Sequence, residues 1–296
     1  MNAQIFGMLN IAYHRLMLTD NFRMDFFAGR FDELIKPGCR VVDLGAGTGI
    51  LSFMAAARGA SVTAVEYDRI NYRNLCRNIE ANGLKDKVKA LNADAKNIIL
   101  DEAQDFLVCE MCHCGFMVEQ QIPVVNAFMQ NHFNKFASVP VVIPARAILE
   151  FDLINCDYNF RGHNIKSAHY EDAYSKAETG VEAYCVPVIY YESDYYKNIG
   201  QDENMKATGE LKIIRGGLIN TLRLKLLVHQ SAEMTRFKKL SDFWALNNIH
   251  FPLENAIEIN PGGALDYSIE YKAGCGFEDF KFSLRAGSGL ETGIII

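Results

Sequence analysis

Val41-Val-Asp-Leu-Gly-Ala-Gly-Thr-Gly-Ile-Leu51 predicts a β-strand, a glycine-rich loop and the first turn of an α-helix, in that order. Gly45, Gly47 and Gly49 have no side chains, so a ligand can approach the loop backbone closely. The following helix directs unpaired backbone N–H groups toward the same place. The spacing is G-x-G-x-G, which does not match the G-x-G-x-x-G pattern of dinucleotide sites. The stretch therefore predicts a loop that binds a nucleotide-like ligand.

The sequence around this loop alternates β-rich runs with helical segments as far as Pro144. The alternation is typical of an α/β, doubly wound, Rossmann-like parallel sheet. After Pro144, alternating runs and Gly-Gly turns predict an antiparallel β-barrel-like domain. We therefore predict two domains, residues 1–144 and 145–296. The predicted strands of the first are Cys39–Leu44, Ser61–Glu66, Val88–Leu91, Asp105–Cys109 and Val139–Ile143, and its helices are Ile50–Arg58, Ile70–Ala81 and Val124–Phe136.

Composition limits the function classes. The chain has 296 residues with 49% apolar content, enough to bury a large core. Its net charge is −6, so the chain lacks the excess of basic residues that attracts nucleic acid, and this argues against a nucleic-acid partner. No run approaches the length of a membrane span, and the N-terminus does not have the pattern of a signal peptide. We expect a cytoplasmic protein whose eight cysteines are reduced thiols.

Acidic residues follow the second and third predicted strands. Glu66 ends the second strand, where a carboxylate can accept hydrogen bonds from both hydroxyls of a ribose. Asp94 and Ala95 follow the third strand and are placed to meet an adenine edge. With Asp43 and the glycine loop, these residues predict a nucleoside site.

Two further carboxylates, Glu110 and Glu119, are nine residues apart and follow the strand-like run Asp105-Phe-Leu-Val-Cys109. Two explanations are open at this point. The pair can form a site for the molecule that receives the chemistry, or Glu110 can cap a strand while Glu119 begins a helix, where an acid complements the helix dipole.

These segments together resemble the S-adenosylmethionine-dependent methyltransferases, and in particular the protein arginine methyltransferase family. The loop and Ala64-Val-Glu66 resemble the cofactor motif, and His14-Arg-Leu-Met-Leu-Thr-Asp-Asn-Phe-Arg23 resembles the segment that precedes it. Glu110 and Glu119 match the spacing of the family's double-glutamate hairpin. Ile143-Pro-Ala-Arg-Ala-Ile148 resembles the crossover into the β-barrel. The resemblance covers about residues 13 to 150.

The resemblance implies S-adenosylmethionine as cofactor. Arg23 would pair with its methionine carboxylate, Met17 would pack near its sulfonium methyl group, and Glu66 would hold its ribose. Glu110 and Glu119 would be the catalytic residues that hold the methyl acceptor, a guanidino group or another cationic nitrogen of a protein or a small molecule. The implied cofactor residues are Met17, Arg23, Asp43, Gly45, Gly47, Gly49, Glu66, Asp94 and Ala95.

The chain departs from the family pattern at three places. The N-terminal aromatic motif retains only Phe6 and Tyr13. Phe243 stands where the barrel loop of the family has a histidine, and His250 is interpreted as structural because it lies between two apolar residues. Three hypotheses therefore stay open: the methyltransferase described above, one that acts on RNA or a small metabolite, and a non-catalytic S-adenosylmethionine-binding protein.

The segment between the two glutamates, Met111-Cys-His-Cys-Gly115, also departs from the pattern. With Cys109 it contains the C-x-x-C-H sequence of haem attachment and side chains that bind zinc in other proteins. Because these side chains lie within six residues and no second pair follows, we interpret them as reduced thiols and assign no metal site.

The resemblance also implies a homodimer. The tyrosine-rich polar stretch 155–184 has weak periodicity, and we predict that it contributes to a subunit contact.

Overall fold

A computed structural model describes residues 14–15, 17–171, 181–195, 203–229, 248–274, 276–287 and 290–296. Its N-terminal half is a five-stranded parallel sheet in the order β3-β2-β1-β4-β5. The elements of this half are α1 (Asn21–Leu34), β1 (Arg40–Leu44), α2 (Ile50–Ala57), β2 (Ser61–Glu66), α3 (Arg69–Ala81), β3 (Val88–Asn92), β4 (Phe106–Cys109), α4 (Gln121–Phe136) and β5 (Val141–Ile143).

Local sequence explains these elements. The apolar residues of β1 are buried on both faces of the sheet, as expected for a central parallel strand. Asp68 caps α3 by accepting hydrogen bonds from the backbone N–H groups of Ile70 and Asn71. The parallel sheet, its five strands and its three internal helices match the predicted alternation, with small shifts at the ends.

One shift matters for the site. The helix α4 begins at Gln121, three residues before the predicted start at Val124. Glu119 nevertheless lies outside it, in the loop that follows a short 3₁₀ turn, Cys114–Phe116. The explanation of Glu119 as the first residue of a helix is therefore wrong.

The C-terminal half consists of antiparallel strands in two main sheets and one short hairpin. One sheet has the order β10-β6-β12-β13-β9 and the other β11-β14-β15-β16, while β7 pairs with β8. Within the described residues the two sheets do not close into one barrel, so the fold is barrel-like only in a loose sense. The strands are β6 (Arg146–Ile154), β7 (Asn159–Phe160), β8 (His163–Asn164), β9 (His169–Tyr170), β10 (Val188–Asp194), β11 (Asn204–Lys212), β12 (Gly217–His229), β13 (Asn248–Ile259), β14 (Ala264–Lys272), β15 (Lys281–Ala286) and β16 (Leu290–Thr292).

Aromatic side chains join the two antiparallel sheets. The Phe151 ring of β6 lies 5.0 Å from the Tyr267 ring and 5.5 Å from the Phe282 ring, both on the second sheet. Phe151 is fully buried, so these contacts form the centre of the antiparallel core.

The predicted division at residues 144 and 145 falls between β5 and β6, although no observation tests these residues as domain limits. Phe243 and residues 172–180 of the tyrosine-rich stretch lie outside the described residues. None of the helices in the described part of the chain is long and apolar enough to cross a membrane.

Buried charges cluster on the face of β6 and β12 that is opposite Phe151. Asp152 is fully buried and accepts hydrogen bonds from Arg223 at 2.9 and 2.8 Å. The Lys225 ammonium group lies 2.6 Å from the same carboxylate. Since a buried carboxylate without partners would be strongly unfavourable, these contacts hold the strands in one register.

We predict that Asp152→Ala lowers the free energy of unfolding by about 3–5 kcal/mol, because it leaves the buried Arg223 guanidinium without its carboxylate partner. Urea titration measures the change. The matched control is Glu102→Ala, which removes an exposed ion pair with Arg40 and should cost less than about 1 kcal/mol. Equal losses in the two variants would contradict the prediction.

Candidate functional site

A cavity of about 470 Å³ lies where β1, β2, β3 and β4 end, at the carboxyl edge of the parallel sheet. This edge is the usual ligand position in open α/β sheets. The structure brings all predicted site residues except Gly49 to its wall, namely Met17, Arg23, Asp43, Gly45, Gly47, Glu66, Asp94, Ala95, Glu110 and Glu119.

The glycine loop forms one side of the cavity. Gly45 has a φ of 74°, and a Cβ atom there would lie 2.8 Å from the Met111 side chain. Gly47 has a φ of 53°, and its Cβ would lie 3.2 Å from the His14 ring. Side chains at either position would therefore strain the backbone and fill space beside the cavity.

Gly49 does not line the cavity. It precedes α2 with a φ of 91°, and a Cβ there would lie 2.6 Å from Leu75 and 2.8 Å from Phe53. The structure thus gives this glycine a packing role at the start of the helix, which differs from the predicted contact with a ligand.

The Glu66 carboxylate is fixed at the end of β2. One oxygen accepts a hydrogen bond from the Gly47 N–H at 2.9 Å, and the other accepts one from the Asp68 N–H at 2.8 Å. Burial raises the pKa of Glu66, while these two hydrogen bonds lower it. Because each carboxylate oxygen can accept more than one hydrogen bond, both oxygens can still accept from a ligand.

Asp43 and Asp94 are held in different ways. Asp43 is buried and accepts a hydrogen bond from the Ser52 hydroxyl at 2.6 Å, and burial raises its pKa to about 6. Asp94 accepts hydrogen bonds from the Lys96 N–H at 3.0 Å and from the Asn97 side chain at 3.1 Å. The neighbouring Ala95 is buried at the cavity wall.

Arg23 connects the side of the cavity that the glycine loop forms with the glutamate hairpin, which is the segment from Glu110 to Glu119. Its guanidinium forms a buried ion pair with Glu110 and donates a hydrogen bond to the Met17 carbonyl at 3.4 Å. Asp20 caps α1 through the backbone N–H of Arg23, which fixes the start of this helix. The pairing of Arg23 with Glu110 was not predicted from the sequence.

The two hairpin glutamates have different electrostatic surroundings. Burial raises the pKa of Glu110, and the Arg23 guanidinium opposes this shift. Burial and the nearby Glu110 charge raise the pKa of Glu119 to about 8. At neutral pH Glu119 therefore retains a proton, and a bound cation would favour its ionised form.

Gln121 supports the hairpin from the first turn of α4. Its fully buried side chain accepts a hydrogen bond from the Met111 N–H at 2.9 Å. The same amide donates to the Tyr195 hydroxyl at 3.2 Å. The hairpin is thereby connected to the antiparallel half of the chain.

Four more hydrogen bonds connect the hairpin with the antiparallel strands. The Tyr271 hydroxyl donates to the Gly115 carbonyl at 2.8 Å, and the Cys114 thiol donates to the Leu224 carbonyl at 3.4 Å. The backbone N–H of Gly274 donates to the Phe116 carbonyl at 2.8 Å, and that of Gly276 donates to the Met117 carbonyl at 2.7 Å. The position of the glutamates therefore depends on both halves of the protein.

His113 forms a buried contact between the hairpin and β9. Its Nδ1 lies 2.9 Å from the Cys114 carbonyl oxygen, which can only accept, so Nδ1 carries the hydrogen. Its Nε2 then accepts from the Tyr170 hydroxyl, at 2.6 Å. Burial lowers the pKa of His113 to about 4, which keeps the ring neutral.

The cysteines of the hairpin are also buried. Burial raises the pKa of the thiols of Cys109, Cys112 and Cys114 well above the usual range. No group of three or more His, Cys, Asp or Glu side chains in the described part of the chain is placed to hold a metal ion.

Sequence reasoning missed several residues of the cavity wall. His14 and Leu18 belong to the segment that carried the family resemblance, so a signal for them existed. Asn71 lies in the first turn of α3, and the others follow strand ends or lie in the hairpin. Neither periodicity nor charge distinguishes them from residues without a ligand-binding role. They include Tyr67, Asn71, Lys96, Met111, Val118 and Gln120.

His250 is fully buried and does not line the cavity. Its side chain contacts Cys156 and Glu171 in the antiparallel half of the chain.

Comparison with protein families matches residues 26–157 to the TRM5/TYW2 methyltransferase domain. An uncharacterized protein of Methanocaldococcus jannaschii is 28% identical over 185 residues, covering 62% of this chain and 66% of that protein. Protein arginine N-methyltransferase 7 of Oryza sativa subsp. indica is 29% identical over 163 residues, covering 50% of this chain and 22% of the rice protein. The chain thus spans only part of the length of each relative.

Two solved structures share the whole fold. The Trypanosoma brucei PRMT1 enzyme-prozyme complex with AdoHcy matches with a TM-score of 0.71 at 15% identity, covering 96% of this chain and 98% of that chain. Arabidopsis thaliana protein arginine methyltransferase 10 matches with a TM-score of 0.69 at 16% identity, covering 98% and 99%. Residues 26–157 are therefore similar to a methyltransferase domain, and the chain has the fold of protein arginine methyltransferases.

The raised pKa of Glu119 predicts a pH-dependent stability. Between its ordinary pKa of 4.5 and its folded pKa of about 8, the folded protein holds a proton that the unfolded chain has lost. The free energy of unfolding therefore falls as the pH rises through this window. The glutamine of the variant Glu119→Gln does not titrate, so the variant lacks this decrease in the free energy of unfolding. The free energy of unfolding of the variant minus that of the wild type should therefore increase from about pH 5 to about pH 8 in urea titrations.

Glu110→Gln is the matched comparison. It removes the carboxylate that is paired with Arg23, so it should lower stability at both pH values. If Glu119→Gln were no more stable than the wild type at about pH 8, the assignment of a raised pKa would be wrong.

Proposed function

Because residues 26–157 are similar to a methyltransferase domain and the chain has the fold of protein arginine methyltransferases, we propose that it transfers a methyl group from S-adenosylmethionine to a guanidinium or another cationic nitrogen. The observation that carries this proposal is the position of two glutamates, Glu110 and Glu119, on the wall of the same cavity as the glycine loop.

The cavity residues fit the proposed cofactor. Gly45 and Gly47 leave space that a Cβ atom would fill, and the fixed carboxylate of Glu66 can accept from the ribose hydroxyls. Asp94 and Ala95 would face the adenine edge. Arg23 has five N–H donors, so it can hold the cofactor's carboxylate while it contacts Glu110. When bound, S-adenosylmethionine supplies an electrophilic methyl group on a sulfonium.

The two glutamates would bind and orient the acceptor. A guanidinium is planar and always charged at neutral pH, so two carboxylates can hold it by charge-assisted hydrogen bonds. Methyl transfer requires alignment of the attacking nitrogen with the methyl carbon, and the hydrogen bonds from the guanidinium to the two carboxylates would provide this alignment. The pair would also keep positive charge on the nitrogen that is not methylated. A carboxylate in this position can accept the proton that the methylated nitrogen loses.

The electrostatics of the hairpin favour a cation over an anion. Glu110 and Glu119 both line the cavity, and the Arg23 guanidinium there is already paired with Glu110. A phosphate group here would meet two carboxylates, which argues against a nucleic-acid backbone at this position. Both a protein side chain and a small guanidino molecule remain acceptors under the proposal.

The fold of protein arginine methyltransferases also supports a homodimer. Residues 155–184 are still predicted to contribute to the contact between its two subunits. Sedimentation at micromolar concentration tests this, and a monomer would contradict it. A cytoplasmic location stays a prediction.

We predict that the wild type transfers labelled methyl groups from S-adenosylmethionine to guanidino compounds, tested with arginine-containing peptides and small guanidino molecules. Glu110→Gln and Glu119→Gln should each lower kcat/KM by about 10- to 100-fold, because each removes a hydrogen bond to a charged group. Binding of S-adenosylhomocysteine to Glu119→Gln, measured by calorimetry, should be retained.

The control variant is Glu102→Gln, whose exposed side chain lies outside the cavity and should leave kcat/KM unchanged. Full activity in the double variant Glu110→Gln, Glu119→Gln would overturn the proposed role of the hairpin.

A further inference from the structure

Cys156, His250 and Glu171 form a cluster in the antiparallel half of the chain, and none of them lines the cavity. His250 lies in β13 directly opposite Arg223 of β12, which is opposite Asp152 of β6. Cross-strand partners share one face of a sheet, so the cluster lies on the face with the buried charges.

His250 connects the thiol with the carboxylate. Its fully buried ring places Nδ1 at 3.8 Å from the Cys156 sulfur and Nε2 at 3.6 Å from a Glu171 carboxylate oxygen. This Nε2 atom is buried and has no hydrogen bond within normal range in the described part of the chain. The His169 ring lies against it edge-on, with 5.0 Å between the centroids, and limits its rotation.

Glu171 can orient this imidazole. Burial raises the pKa of Glu171, but its contacts with His250, Asn248 and Arg223 outweigh that effect and hold the pKa below the ordinary value, so Glu171 is ionised at neutral pH. Its carboxylate oxygen faces Nε2 and favours a hydrogen on that nitrogen, so Nδ1 is the acceptor that faces the Cys156 thiol and can take its proton. The thiolate that results is the nucleophilic form of cysteine.

The other described cysteines have different surroundings. Burial raises the pKa of Cys185 to about 11, and the three hairpin thiols are fully buried. Cys39 and Cys76 are partly exposed, as is Cys156. The Cys39 sulfur accepts a hydrogen bond from the Lys36 N–H at 3.4 Å, while Cys76 contacts Tyr72. Cys156 thus combines partial exposure with an oriented imidazole.

We propose that Cys156 is a reactive thiol that hydroperoxides oxidise to a sulfenic acid, with His250 as the proton donor. The thiolate sulfur attacks one peroxide oxygen, so that an S–O bond forms and the O–O bond breaks. Sulfur loses two electrons, and the peroxide is reduced. The leaving hydroxide or alkoxide takes the proton from His250 and departs as water or an alcohol. This site is independent of the proposed methyl transfer.

The experiment treats the full chain with hydrogen peroxide and a sulfenic-acid trap, and separately with iodoacetamide, and follows each cysteine by peptide mass spectrometry. Cys156 should react at least about 10-fold faster than Cys39 and Cys76, because its thiol lies beside an imidazole that can accept its proton. The two partly exposed cysteines are controls within the same molecule.

His250→Gln should reduce the rate at Cys156 to that of Cys39, and Glu171→Gln should reduce it in part. Because His250 is buried, urea titration must show that each variant is folded, and unchanged rates at Cys39 and Cys76 must accompany the loss. The partly exposed Glu171 provides the second variant if His250→Gln does not fold. Equal rates at Cys156, Cys39 and Cys76 in the wild type would overturn the proposal, and so would an unchanged Cys156 rate in the folded variants.

Discussion

The buried ion pair of Arg23 and Glu110 is the interaction on which the site depends. It connects the first turns of α1 with the hairpin that follows β4, and these segments form opposite parts of the cavity wall. Arg23 also compensates one of two neighbouring carboxylates, while burial and the Glu110 charge raise the pKa of the second, Glu119, so that it retains its proton at neutral pH. The electrostatics of the site in the free protein thus favour the binding of one additional positive charge.

The same hairpin needs the antiparallel half of the chain. Tyr271, Gly274 and Gly276 donate hydrogen bonds to its backbone carbonyls, the Cys114 thiol donates to the Leu224 carbonyl, and the Gln121 amide connects it to Tyr195. The parallel sheet alone fixes Glu66 and the glycine loop, because these follow adjacent strand ends. The proposed cofactor contacts of Glu66 and the glycine loop therefore depend on one half of the fold, while the orientation of the glutamates depends on both halves.

This difference explains what the sequence predicts. Gly45, Gly47 and Glu66 are predictable, since their positions follow from strand order and local backbone rules. The role of Gly49 depends on contacts with Leu75 and Phe53, which a motif does not reveal. The Arg23 and Glu110 pair joins residues 87 positions apart, and its geometry arises only from tertiary packing. The interpretation of Glu119 as a helix start failed because α4 begins two residues later.

A crystal structure with S-adenosylhomocysteine bound tests the central claim most directly. The account predicts ribose hydroxyls on the Glu66 carboxylate, the amino-acid carboxylate of the ligand on Arg23, and the sulfur directed toward Glu110 and Glu119. A ligand outside this cavity, or a sulfur directed away from both glutamates, would contradict it.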